Sequence, residues 1–149
     1  MAKLIDYKEN TGIVNMAIDA ELLDSAINNN EKEPIIRFYA WKPKCVSLGR
    51  NQKPDNIDIE YCKQNNIDIV QRITGGRGLL HDNEVTYSFI CPVEFLKTGN
   101  ERNLEFSKYS IEKIKNCMGT NYIQALVILH NIETNPTYAP MIFNPDMVE

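Results

Sequence analysis

Between residues 71 and 82 the chain reads Gln71-Arg72-Ile73-Thr74-Gly75-Gly76-Arg77-Gly78-Leu79-Leu80-His81-Asp82. Three glycines, two arginines, a threonine and a histidine fall within one short connection. Glycine lets a backbone approach a ligand closely and adopt positive φ. Successive backbone N–H groups in such a connection can form a concavity for an anion. Arg72 and Arg77 add rigid forks of donors suited to a carboxylate or a phosphate. The chemistry on offer is therefore capture of an anionic or carbonyl-bearing group by Arg72, Thr74, Gly75, Gly76 and Arg77. A plain reading stands beside it, a tight hairpin with solvated arginines, because isolated Gly-rich turns are weak evidence. His81 likewise reads either as a hydrogen-bonded core residue that fixes the loop or as a direct substrate contact.

Two alternating runs must position this loop. Residues 67–73 put Ile67, Ile69, Gln71 and Ile73 on one face, so Arg72 emerges on the other face beside the glycines. There it should add little to the core. Residues 84–91 put Val85, Tyr87 and Phe89 on one face and Thr86, Ser88 and Ile90 on the other, and Pro92 ends the run. Upstream, residues 3–8 suggest a first strand. Asn15 is a candidate N-cap for a helix to about Asn28, with Met16, Ala20, Leu23 and Ile27 as its apolar stripe. Asp19 and Asp24 lie off that stripe and read as solvated. Residues 35–41 and 45–49 read as a hairpin of two strands, with Trp41 as a core or wall residue. A helix over 56–64, capped by Asp55, follows. Further on, the spacing predicts a helix over about 98–119, a β-leaning run from Tyr122 to Leu129 and an irregular Pro-containing tail over 130–149.

The 149 residues suffice for one compact domain. A net charge of −4 argues against a nucleic-acid surface. No apolar stretch is long enough to span a bilayer, and the N-terminus lacks a signal-peptide core, so the cytoplasm is the expected compartment. Cys45, Cys62, Cys91 and Cys117 are scattered with no C-x-x-C pair and read as reduced thiols. Cys62 in particular reads as a small packed residue.

The loop, with Glu84-Val85-Thr86-Tyr87-Ser88 behind it, resembles the signature of the lipoate–protein ligase, octanoyltransferase and biotin-ligase superfamily. Arg77, where the ligase branch carries a third glycine, is closer to the octanoyltransferase branch. Asn15-Met16-Ala17-Ile18-Asp19 and Ser47-Leu48-Gly49-Arg50-Asn51-Gln52 agree in order and rough spacing, so the resemblance covers residues 1 to about 117. It implies an α/β (α+β) fold with a mixed, largely antiparallel central sheet flanked by helices. It also implies transfer of an octanoyl or lipoyl group to a lysine of a lipoyl carrier domain, of the H-protein or 2-oxoacid dehydrogenase E2 type. Nucleic acid and membrane are not expected partners. An octanoyltransferase would need no cofactor, whereas a lipoate–protein ligase would need ATP and magnesium. Arg72, Thr74, Gly75, Gly76, Arg77 and His81 would then bind substrate. Ile36, Phe38, Val70, Leu79, Val85 and Phe89 could wall an acyl slot, which residues 45–52 would line in the resembled family.

The catalytic residues stay unknown at this stage. The transferase branch uses a cysteine in a Cys-Phe-x-x-Pro-like segment, and the superfamily carries a functional lysine in a Gly-Lys-Lys-like segment. Neither segment is present. The expectation is a truncated catalytic domain over residues 1–129, either a shortened product, one of two polypeptides that complete the fold, or a relative that binds without turnover.

Overall fold

The computed structural model describes residues 2–92 and the strand Tyr122–Leu129. Residues 98–119 and 130–149, where a helix and an irregular tail were expected, lie outside the described residues.

The described chain builds two sheets around one helix. Strands β1 (Lys3–Asn10) and β2 (Ile35–Trp41) run parallel and are joined by helix α1 (Gly12–Asn28). Strand β6 (Val85–Pro92) lies antiparallel on β2, and β7 (Tyr122–Leu129) antiparallel on β6, giving the order β1-β2-β6-β7. The second sheet is β4-β3-β5, from β3 (Cys45–Leu48), β4 (Asp68–Gln71) and β5 (Leu79–His81), with β3 parallel to β4 and antiparallel to β5. The expected α+β class with mixed, largely antiparallel pairing is present, divided between two sheets. No helix among the described residues is long and apolar enough to cross a membrane.

The expected hairpin of β2 with β3 does not form. Both edges of β2 are taken, by β1 and β6, so β3 seats in the other sheet. For the same reason the glycine-rich segment is no tight hairpin. Its flanking strands β4 and β5 are separated by β3, so residues 72–78 pass across the end of β3.

Helix α1 begins earlier than expected. Thr11 is the N-cap, its side chain accepting from the Val14 N–H at 3.5 Å. Its buried positions are Gly12, Asn15, Asp19, Leu23 and Ala26, so the buried face is turned by about one residue from the apolar stripe. The cause is polar. Asp19, expected in solvent, is 2% exposed and ion-paired to Arg37 of β2 at 2.7 Å. Tyr39 donates its hydroxyl to the other Asp19 oxygen at 2.8 Å, and Arg37 also donates to Asn15 Oδ1 at 2.6 Å. Asp24 is exposed, as expected. Lower on the helix, Leu23 and Ala26 pack with Ile35 and Ile90. Burial of such apolar area supplies most of the drive for this contact.

Under the second sheet, Val46, Leu48, Ile57, Cys62 and Ile67 form a separate cluster. Ile57 has extended backbone and is buried there, so the expected helix over 56–64 breaks. A 3-10 turn covers Pro54–Asn56, and α2 (Ile59–Gln64) starts afresh with Asp58, in place of Asp55, accepting from the Tyr61 N–H at 2.9 Å. Trp41 and Cys62 are buried, as expected.

Candidate functional site

The site is built where the ends of β3 and β4 meet. Two segments interlock there, residues 49–52 after β3 and residues 71–77 after β4. Gln71 Nε2 donates to the carbonyls of Gly49, Arg50 and Gln52 at 3.3, 2.8 and 3.3 Å. The Arg50 N–H donates to Thr74 O at 2.9 Å. Gly49 and Gly76 touch so closely that a Cβ on Gly49 would lie 1.9 Å from Gly76 O. Gly76 itself has φ +100°, a conformation that favours glycine.

Arg72 is the organising residue of the loop. Its alternation places it opposite exposed Gln71, as the strand pattern predicts, but it is 4% exposed instead of peripheral. Nη1 donates to Ser47 O at 2.6 Å and to Ser47 Oγ at 3.1 Å. Nη2 donates to Gly75 O at 2.9 Å and to Arg77 O at 2.7 Å. The fork therefore turns the loop carbonyls inward. Among the described residues, the N–H groups of Gly75, Gly76 and Arg77 donate to no protein acceptor, and all three residues are exposed. No carboxylate of the described residues lies within ion-pairing distance of Arg72. Burial pulls the Arg72 guanidinium below its usual pKa. Thr74 Oγ1 is buried with no hydrogen-bond partner among the described residues.

His81 stands apart from this group, at the far end of β5. It is fully buried and stacked on Trp41 with ring centroids 4.0 Å apart. Nε2 lies 2.6 Å from Ser47 Oγ, and Nδ1 lies 2.5 Å from Glu84 Oε1. Thr86 Oγ1 donates to Glu84 Oε1 at 2.9 Å and accepts from Trp41 Nε1–H at 2.8 Å. Sequence reasoning missed Ser47, Glu84 and Thr86. One signal was available: Thr86 and Ser88 alternate with apolar residues on a face that ends in buried Ile90, and buried polar side chains need partners.

A groove of about 420 Å³ opens beside the loop, lined by Ala20, Leu23 and Asp24 of α1 and by Arg50, Gln71, Arg72 and Ile73. The helix side gives apolar Ala20 and Leu23 with the Asp24 carboxylate beside them, and the loop side carries the two cations Arg50 and Arg72. The six residues expected to wall a slot do not converge. Ile36 pairs with Phe89 and Phe38 with Tyr87 across β2 and β6, on the face of that sheet turned away from the buried Arg37 and Tyr39. Val70 is buried against Tyr39, Trp41 and Cys45. The expectation failed because alternation states which residues share a face, and only packing states which faces meet.

The three described cysteines, Cys45, Cys62 and Cys91, are free and buried, and burial pushes each thiol upward, Cys91 to about 11. None has the lowered pKa of an activated nucleophile.

Against known proteins, 89 residues are 48% identical to the octanoyltransferase LipM of Clostridioides difficile, covering 59% of this chain and 32% of that protein. The LipM of Carboxydothermus hydrogenoformans is 38% identical over 118 residues, 76% of this chain and 44% of its own length. The chain thus spans less than half the length of these relatives. In structure it is similar to Plasmodium falciparum LipL1, crystallised with lipoate, with a TM-score of 0.54 and 16% identity over 81% of this chain and 38% of that one. At that identity the likeness speaks for the fold alone. Residues 11–119, well over half of the chain, match the lipoyl protein ligase A/B catalytic domain. With the interlocked loops carrying the motif and the fold agreeing, the chain belongs to the lipoyl protein ligase A/B catalytic domain family.

Proposed function

We propose that this chain supplies the acyl-binding part of an octanoyl- or lipoyl-transfer activity directed at a lysine of a lipoyl carrier domain, in the cytoplasm. The observation that carries this reading is the Arg72-braced loop. Among the described residues it leaves the N–H groups of Gly75, Gly76 and Arg77 without a protein acceptor, and Arg72 itself borders a groove where Ala20, Leu23 and Ile73 give apolar surface and Arg50 a second cation. In this reading the acyl chain lies along Ala20, Leu23 and Ile73, where each buried methylene is worth about 0.8 kcal/mol. The carbonyl or carboxylate end meets Arg50, Arg72 and the loop N–H groups of Gly75, Gly76 and Arg77. Thr74 Oγ1, buried beside them, is a further polar contact. Donors fixed in advance by the Arg72 fork stabilise charge on an acyl oxygen without reorganisation.

Octanoyltransferase LipM relatives at 38–48% identity support transfer from an acylated carrier, without ATP. No described cysteine is proposed as the nucleophile. An ATP- and magnesium-dependent ligase is the alternative enzyme, and a binding module without turnover is the reading of a different class.

Intact-mass spectrometry of a lipoyl carrier domain separates the three. One reaction holds the chain with octanoylated carrier as donor, the other holds it with octanoate or lipoate and magnesium-ATP. An octanoyl gain in the first supports the transferase, and a gain only in the second replaces it with a ligase. No gain in either, with octanoate bound at the groove, leaves the binding module.

A further inference from the structure

The contacts around His81 form one continuous chain, Arg72–Ser47–His81–Glu84–Thr86–Trp41, and its direction follows from its ends. A guanidinium and an indole N–H only donate, and a carboxylate only accepts. Arg72 Nη1 donates to Ser47 Oγ, so that oxygen is an acceptor from Arg72. Ser47 is fully buried, and among the described residues the one other partner of its Oγ is His81 Nε2 at 2.6 Å. The hydroxyl proton therefore goes to Nε2, because a donation from Nε2–H would leave that proton buried and unused. Nε2 is then bare and the ring proton sits on Nδ1, where it meets Glu84 Oε1 at 2.5 Å. From the other side Trp41 donates to Thr86, and Thr86 donates to the same carboxylate oxygen. Every proton in the chain points toward Glu84.

We propose that His81 is a positioning residue, held as the neutral Nδ1–H tautomer, and that Ser47, His81 and Glu84 together hold the Arg72 fork in the orientation that shapes the glycine loop. Glu84 is the carboxylate at the end of a chain that begins at Arg72, a buried cation with no carboxylate of its own among the described residues. A hydrogen-bond chain polarised in one sense strengthens each of its members. Arg72 is thereby held from both sides, by Ser47 within the sheet and by the carbonyls of Gly75 and Arg77 in the loop. The importance of the loop for acyl transfer rests on the function proposed above. The hydrogen-bond chain itself is a property of the ligand-free protein.

The test is nitrogen-detected NMR of the imidazoles in the full chain at pH 7. The sequence has two histidines, so His130→Gln leaves His81 as the single imidazole. The expected spectrum has a protonated Nδ1 and a bare Nε2. A ring protonated at Nε2, or at both nitrogens, overturns the proposal. Transmission is read at Arg72, through the rate at which its guanidinium Nη groups rotate. Glu84→Gln keeps an acceptor oxygen and the side-chain shape but removes the charge, and it does not touch Arg72. Arg72 rotation should quicken about tenfold, the scale of one net hydrogen bond. If Glu84→Gln does not fold, Ser47→Ala removes the linking hydroxyl and leaves the Arg72 bond to Ser47 O available, with the same result expected. Unchanged Arg72 rotation in a folded variant overturns the positioning role. Failure of wild-type protein to bind octanoate would remove the acyl reading and leave these NMR outcomes to decide the tautomer and its coupling to Arg72.

Discussion

Two buried arginines face opposite circumstances in this molecule. Arg37, 3% exposed, meets the Asp19 carboxylate at 2.7 Å and lies 3.9 Å above the Tyr39 ring. Its charge is matched on the spot, and its work is to join α1 to the first sheet. Arg72, 4% exposed, meets carbonyls and a hydroxyl among the described residues. Its charge is matched by nothing within ion-pairing distance among the described residues, and it borders the groove. Burial is nearly equal, so burial does not separate Arg37 from the arginine proposed to bind substrate. The separating feature is whether the cation already has its anion.

The largest effect should come from breaking the matched pair. Arg37→Ala leaves the buried Asp19 carboxylate without its cation, though Tyr39 still donates to it, and removal of one partner from a buried ion pair costs about 3–5 kcal/mol. Urea denaturation should show that loss, while octanoate affinity per folded molecule holds. A small loss would mean that Arg37 is no more structural than Arg72.

Gly49→Ala attacks the other region. Its Cβ would collide with Gly76 O, and overpacking of this kind costs about 1–3 kcal/mol. Here stability and octanoate binding should fall together, because the clash pushes the two loops apart. Wild-type binding in this variant would show that the interlock does not shape the groove.

Arg72→Lys keeps the charge and loses the fork. Octanoate affinity should drop about tenfold, and stability should fall by about 1–2 kcal/mol, as loop carbonyls lose their donors. That stability loss replaces the sequence-based expectation of a side chain that adds little to the core. Undiminished binding would mean that charge alone, and no fixed geometry, serves the groove.

Cys91 lies in the same sheet as Arg37, on β6, and its thiol is raised to about 11 from the ordinary 9.0 by burial. The unfolded chain therefore loses this proton at lower pH than the folded one. The stabilisation is complete below pH 9 and fades as pH climbs toward 11. Melting curves of wild type should decline over that interval more than those of Cys91→Ala. Equal declines, or rapid alkylation of Cys91 at neutral pH, would argue against an inert first sheet.

The smallest effect sharpens the comparison most. A Cβ on Gly75 meets nothing within 4 Å, so Gly75→Ala should change stability by less than about 0.5 kcal/mol. A fall in octanoate affinity with melting unchanged would locate the ligand on the outer side of the loop. No change in either would move the acyl head group away from Gly75.

Much of this was written locally. Alternation along residues 67–73 and 84–91 determined which side Arg72, Thr86 and Ser88 face. The glycine-rich motif marked the segment that the fold indeed turns into an interlocked loop, and the family followed from that motif with residues 15–19 and 47–52. Local rules of this kind are legible because side-chain period and turn chemistry act between near neighbours. Three features came only from tertiary structure. The buried face of α1 is set by Arg37 and Tyr39, which supply partners for Asn15 and Asp19 from 18 or more positions away. The separation of β2 from β3 depends on which strand edges were already occupied. The chain from Arg72, just after β4, to Glu84, just before β6, crosses β3 and β5 through Ser47 and His81, 34 residues apart. Polar burial is favourable only when a partner arrives, and where the partner arrives is decided by the fold as a whole.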